Sequence, residues 1–258
     1  MDKVLSQYFD MRVWRWLVGP AVIVFIWWLI TATGVIKPIF LPPPGQVANA
    51  VWHMLSISGG GIKSDVMATL GRVLAGLAIG IGIGLPLGLL LGYFSWLHDM
   101  WELPLDFFRS TPVTALFPFF LLIFGIGDVG KIAIASWAVA LIIVINTIYG
   151  VRSCSNVRLR YLKSIGANTY QTIIWQLMPE ALPHIIGGIR IAISQAFIVV
   201  VVTEMFYGSD KGLGYQLYSA ALMYRSDEVI ALILISGMLG YIINKITERA
   251  GKKIVFWL

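Results

Sequence analysis

The chain has 258 residues, of which 58% are hydrophobic and only 12% charged, with a formal net charge of +6 and a mean hydropathy of +0.82. A soluble domain carries about 25% charged residues, so there is too little charge here to coat a globule, and a soluble enzyme is excluded. The basic residues sit on short loops beside apolar blocks, so the positive balance reads as membrane topology and not as a nucleic-acid surface.

In chain order, six spans are predicted from apolar runs long enough to cross ~30 Å of hydrocarbon: Trp14–Thr33, Val66–Phe94, Thr114–Phe124 with its upstream turn, Lys131–Tyr149, Ile185–Tyr207 and Val229–Ile246. The expected class is an all-α, polytopic membrane protein with about six transmembrane helices. Its expected organisation is an N-terminal anchor and outer amphipathic segment (1–64), a core (65–250) with a cytoplasmic loop at 152–184, and a short tail (251–258). With both termini inside, twelve Lys and Arg fall on inner segments and five on outer ones, which fits the bias of basic residues toward the cytoplasmic side. The only cysteine, Cys154, then faces the cytoplasm just after the fourth span.

The first span follows Arg12 and Arg15 and is too long for a signal peptide. After it, LPPPGQVANAVWHML, Leu41 to Leu55, reads as extended chain turning into a short amphipathic helix. The second span places Gly76, Gly80, Gly84, Gly88 and Gly92 on one helical face, a ridge that lets another helix approach closely. Its partner is either a helix of the same subunit or one of a second copy. Pro86 in its middle predicts a kink.

Between spans three and four, FGIGDVGKI, Phe124 to Ile132, matches both GxGxxG and GxxxxGK. A phosphate site is rejected, because Ile132 stands where Ser or Thr would hold Mg²⁺ and because the segment is an outer turn. Gly125, Gly127 and Gly130 are expected to supply turn conformations, with Asp128 capping the next helix. Two charges, Arg72 and Glu204, fall inside the outer ends of spans two and five and are expected to face each other there, with Thr203 beside them, as candidates for a translocation path. Exchanging the two charges is then expected to retain part of the activity. The segment 207–228 reads as a Gly-Leu-Gly turn into a surface helix.

The loop between spans four and five is about 35 residues long, too long for a mere link. Asn156 is expected to cap a helix over Val157–Ile165, Gly166 to end it in a left-handed conformation, and Asn168 with Gln171 to open a second helix that ends at Pro179. This loop resembles the permease loop of bacterial ABC importers, whose pattern is Glu-Ala-Ala, three residues, Gly, nine residues, Ile-x-Leu-Pro. Gly166 and Pro179 keep that 13-residue separation. Arg160, Tyr161 and Leu162 replace Glu-Ala-Ala, Gln176 replaces Ile, and Met178 stands at the Leu position. FLPPPGQV, TLGRVLAG, GLPLGLLLG, FFRSTPVTALFPFFLLIFGIGDVGKI and TEMFYGSDKGLG are similar, in order and spacing, to the nitrate/sulfonate/taurine/bicarbonate branch of these permeases.

The resemblance implies a type I ABC importer permease fold in a bacterial inner membrane, paired with a second copy, surrounded by lipid, and passing a small anion such as nitrate, bicarbonate or a sulfonate. It implies an extracytoplasmic solute-binding protein and cytoplasmic ATPase subunits gripping the loop through Arg160, Leu162, Lys163, Gly166, Ala167, Tyr170 and Pro179. No catalytic residue, cofactor, metal or nucleic-acid partner is expected, since no intact phosphate loop exists in the chain. An ion-coupled carrier or channel is the alternative, but it needs charges at span centres, and the expected spans place none there. An intramembrane enzyme is disfavoured because His53, His98 and His184 all fall outside the expected spans.

Overall fold

The computed structural model describes residues 18–56, 61–206 and 208–254, and all regular structure among them is helical. The first four residues of the expected anchor span and the end of the tail lie outside the described residues. Two compact units share the chain: Met1–Ile62 with Leu217–Ile235, and Lys63–Gln216 with Ser236–Leu258.

In the first unit, α1 (Val18–Ala32) is an apolar helix whose Trp27 donates its indole N–H to the Pro42 carbonyl at 3.0 Å. Prolines 42–44 lead into α2 (Pro44–Ser56), which buries Val47 as the amphipathic pattern requires. Ser226 closes the unit by donating its hydroxyl to the Ile39 carbonyl.

The second unit holds α3 (Gly61–Tyr93), α4 (Ser95–Ser110), α5 (Phe117–Phe124), α6 (Asp128–Arg152), α7 (Asn156–Ser164), α8 (Thr169–Thr172), α9 (Met178–Phe206), and parts of α10 (Leu213–Leu222) and α11 (Ser226–Ile254). Among the described residues, four helical stretches are long and apolar enough to span a membrane: α3, α6, Thr169–Phe206 and α11. The third expected span differs. α4 and the segment Val113–Phe124 form one pair bent by 94°. The cause is local: Thr111 precedes Pro112 and is held extended (φ −77°, ψ 124°), as residues before proline are. That ends α4, and Pro118 then suits the first turn of α5. α4 is a helix additional to the expected spans.

The glycine ridge of α3 lies against α6. A Cβ at Gly76, Gly80, Gly84, Gly88 or Gly92 would come within 2.5–2.9 Å of Ala135, Val139, Ala140, Thr147 or Val151 respectively. The close approach is therefore made inside one chain, and that face of α3 is occupied. Pro86 sits inside an uninterrupted α3.

The largest departure concerns Pro179. The helix expected to stop there continues, because a π turn over Ile173–Leu177 joins α8 to α9. In that turn Met178 donates its N–H to the Ile173 carbonyl, so the chain is wound wide just before the residue that has no N–H to give. Thr169–Phe206 is in consequence one 38-residue helical stretch. Arg190 stands close to the middle of α9 and is exposed. A guanidinium on that face must meet water, a headgroup or another protein surface.

Candidate functional site: an ion cluster and a helical loop at the two ends of α9

Asp65, Thr69 and Arg72 lie at i, i+4 and i+7 of α3, hence on one face. All three are buried. Arg72 Nη1 donates to Glu204 Oε1 at 2.6 Å and to the Lys211 carbonyl at 2.8 Å, while its Nε and Nη2 each reach Asp128 Oδ1 at 2.8 Å. Thr69 Oγ1 lies 2.9 Å from both oxygens of Glu204. Lys131 is 2% exposed, with Nζ 3.7 Å from Asp128 Oδ1.

These side chains also finish α10. Helix N-termini leave backbone N–H groups without intrahelical partners. Here the N–H of Gly212 goes to Asp65 Oδ1 (2.7 Å), that of Leu213 to Thr69 Oγ1 (3.0 Å) and that of Gly214 to Glu204 Oε2 (3.0 Å). Gln216 adds a bond to Asp65 Oδ2 at 3.0 Å. Two glycines are required: a Cβ at Gly212 (φ +133°) would strike the Glu204 carboxylate, and one at Gly214 would overlap the Val201 carbonyl. One carboxylate thus receives a guanidinium, a hydroxyl and a backbone N–H, the satisfaction that makes a buried charge tolerable.

Of the candidate path residues, the structure brings Arg72 and Glu204 together. Thr203 is buried, but its hydroxyl donates to the Val200 carbonyl of its own helix at 2.8 Å. The Arg72 and Glu204 side chains are 9% and 0% exposed, so neither lines an open channel in this state. Asp128 is the first residue of α6 and makes no cap, while Gly127 before it has φ +147°, a conformation that favours glycine. The carboxylate is drawn to Arg72 instead. Gly125 is in the left-handed region (φ +73°), whereas Gly130 is a buried residue inside α6, not a turn. Asp65, Thr69, Asp128 and Lys131 were missed as cluster members, although the 65/69/72 spacing was available.

At the other end of α9, α7 begins at Asn156, one residue earlier than expected, so Ser155 and not Asn156 precedes it. Gly166 has φ +79°, and the Ala167 N–H bonds the Leu162 carbonyl at 3.0 Å, the six-to-one bond of a Schellman stop. Asn168 Oδ1 accepts from the Gln171 N–H at 2.8 Å while Gln171 Oε1 accepts from the Asn168 N–H at 2.9 Å, a reciprocal capping box. Arg160 and Pro179 are exposed, Tyr170 is 70% exposed, and Leu162 and Ala167 are half-buried; the side chain of Lys163 lies outside the described residues. Tyr161, Ile165 and Trp175, each more than 60% exposed, add an apolar surface to the same loop.

Glu180, which sequence reasoning did not single out, fastens the loop. Its carboxylate meets Arg158 Nε at 2.9 Å and accepts from the Ser155 N–H at 3.4 Å and Gln176 Nε2 at 3.5 Å. Cys154 beside it is buried under Leu177 and Ala181. Burial, with the Glu180 carboxylate adding to it, pushes the thiol up to about 12.

This architecture is shared with solved transporters. A structure of the MetNI methionine ABC transporter in inward facing conformations superposes with a TM-score of 0.67 at 21% identity, covering 75% of this chain and 96% of that one. In sequence, the chain is 26% identical over 259 residues to the taurine transport system permease protein TauC of Escherichia coli K12, covering 95% of this chain and 93% of that protein. It is 32% identical over 230 residues to the putative aliphatic sulfonates transport permease protein SsuC of the same strain, covering 89% and 86%. It is also 34% identical over 215 residues to the riboflavin transport system permease protein RibX of Chloroflexus aurantiacus, covering 81% and 78%. Residues 80–254, which take in the glycine ridge from Gly80 onward, the helical loop and Glu204, match the family described as binding-protein-dependent transport system inner membrane component, and the chain belongs to that family.

Proposed function

We propose that this chain is the permease subunit of an ATP-driven importer for a small sulfonate-type anion. Two copies would form the path, an extracytoplasmic binding protein would deliver the solute, and cytoplasmic ATPase subunits would grip the loop from Arg160 to Pro179. Both termini and that loop would lie on the cytoplasmic side. Relatives named for taurine and for aliphatic sulfonates support the solute class. The relative named for riboflavin supports a second reading, a neutral heterocycle, on the same scaffold.

The loop supports the reading most directly. A Schellman glycine and a reciprocal capping box fix two short helices at a defined angle, and the second winds without interruption into a span. A rigid arm of that kind passes a displacement at the loop to the far end of α9, about 40 Å away. ATPase closure would then bias the access state of the spans.

Co-purified permease, ATPase and binding protein in proteoliposomes test this. Uptake of radiolabelled taurine or an alkanesulfonate should require ATP, the binding protein and the loop. Uptake of riboflavin with no sulfonate uptake would replace the first solute class by the second, and ATP-independent uptake would overturn both.

A further inference from the structure

At the loop end of the second unit, a cavity of about 700 Å³ opens between the α3–α4 turn, the end of α6, α7 and the π turn. Its walls are more polar than those of the apolar cleft between α3, α4 and α6. Tyr93, Phe94 and Trp96 form one side, with ring centroids 4.8 Å apart for the first pair and 6.5 Å for the second. Trp96 is 62% exposed. Asp99 and Arg152 supply its charged groups, beside the apolar Val151, Leu159 and Leu177; both charged residues are exposed, and neither has an ion-pair partner among the described residues. The volume falls in the range of small-ligand sites.

One carboxylate beside an aromatic group suits an ammonium, which is drawn both to the charge and to ring faces. One guanidinium suits a phosphoryl or sulfonyl oxyanion. The pair is formally neutral, so it has no reason to select an anionic lipid, unlike a basic patch. We infer that this cavity is a binding site for a zwitterion carrying an ammonium and an oxyanion, of the phosphoethanolamine type. Tyr93 in its wall packs on the same buried cluster as Leu159 of α7 and Ile173 of the π turn. An occupant therefore braces the joint between α3 and the loop, and its presence is felt where the proposed function places ATPase coupling, on which this part of the inference rests.

The chemistry has two sources, a phosphatidylethanolamine headgroup or a free zwitterion, and the assay separates them. The permease–ATPase complex with its binding protein is placed in nanodiscs of phosphatidylethanolamine with phosphatidylglycerol, or of phosphatidylglycerol alone. Retained lipid is read by native mass spectrometry, and hydrolysis is read with and without loaded binding protein. Stimulated hydrolysis should be about threefold higher with phosphatidylethanolamine, the scale of one exposed cation–π contact, and Asp99→Asn or Trp96→Leu should remove that difference along with the retained lipid. Restoration in phosphatidylglycerol discs by millimolar phosphoethanolamine assigns the free zwitterion; restoration by the lipid only assigns the headgroup. If both variants keep parental lipid retention and parental lipid dependence, the site is overturned. Lipid retention needs no transport, so failure of sulfonate uptake sinks the proposed function without touching this result.

Discussion

Cys154 shows how burial changes what a residue can report. Its position after α6 makes it an obvious marker for the side of the membrane on which the loop lies. Yet it sits under Leu177 and Ala181, and its thiol is pushed up to about 12. Thiolate is the reactive species, so at neutral pH the group stays protonated and inert; only as pH rises toward 12 would it react. The parental protein should therefore resist maleimide even in permeabilised cells. Ser164→Cys, on an exposed residue of α7, should label after permeabilisation and not before if the loop is cytoplasmic. Equal labelling of intact cells would reverse the topology. The same scale settles what to expect of Glu204. It accepts from Arg72, Thr69 and Gly214 at once, and breaking a buried pair by removing one partner costs about 3–5 kcal/mol. Glu204→Ala should lower the thermal midpoint in detergent by several degrees and reduce yield. Exchanging the two charges should not restore it, because an arginine at 204 would face the Gly214 N–H, a donor against a donor. A swap variant as stable as the parent would show that ion pairing alone governs the cluster.

At the level of elements, legibility followed the range of the physics. Gly166 and the Asn168–Gln171 box were readable because a helix stop and a capping box are decided by three or four neighbouring residues. The glycine ridge was readable as a surface, though not as the surface that meets α6 at Ala135, Val139 and Val151. Two signals misled. Pro179 ordinarily ends a helix, but the π turn upstream absorbs its missing donor, which no local pattern announces. Asp128 ordinarily caps, but a buried guanidinium 56 residues away competes for it and wins. α4 went unseen because its composition is amphipathic and it buries no residue fully. Gly166 supplies the test. No atom lies within 4 Å of a Cβ placed there, so substitution acts through φ +79° alone. Gly166→Val should cost roughly 1–3 kcal/mol of local strain and weaken retention of the ATPase on purification. Gly166→Asn, a residue that visits the left-handed region, should retain most of it. Equal behaviour of the two variants would show that backbone conformation at this corner does not matter.

For the whole molecule, the question is how a push on α7 reaches the spans. α7 leaves α6 through the short stretch Ser153–Ser155, and Glu180 ties its start to α9 through the Ser155 N–H and the Arg158 side chain. Leu159 adds an apolar attachment, packed against the cluster that holds Cys154, Leu177 and Ala181. Arg158 is 65% exposed, so this ion pair contributes only about 0.2–1 kcal/mol to stability. Its proposed importance is direction: without it, α7 can tilt on the apolar contact while α9 stays put. Glu180→Ala should therefore leave the assembled complex and its basal ATP hydrolysis near parental levels, yet lower uptake per ATP consumed, which is uncoupling and not instability. Glu180→Gln keeps an oxygen for the Ser155 N–H and loses only the charge for Arg158, so it should fall between the parent and Glu180→Ala. The measurement is the ratio of solute imported to phosphate released in proteoliposomes with a stable complex. A parental ratio in Glu180→Ala would mean that the apolar contact alone transmits the movement, and a ratio lower in Glu180→Gln than in Glu180→Ala would mean that the carboxylate acts through some other partner.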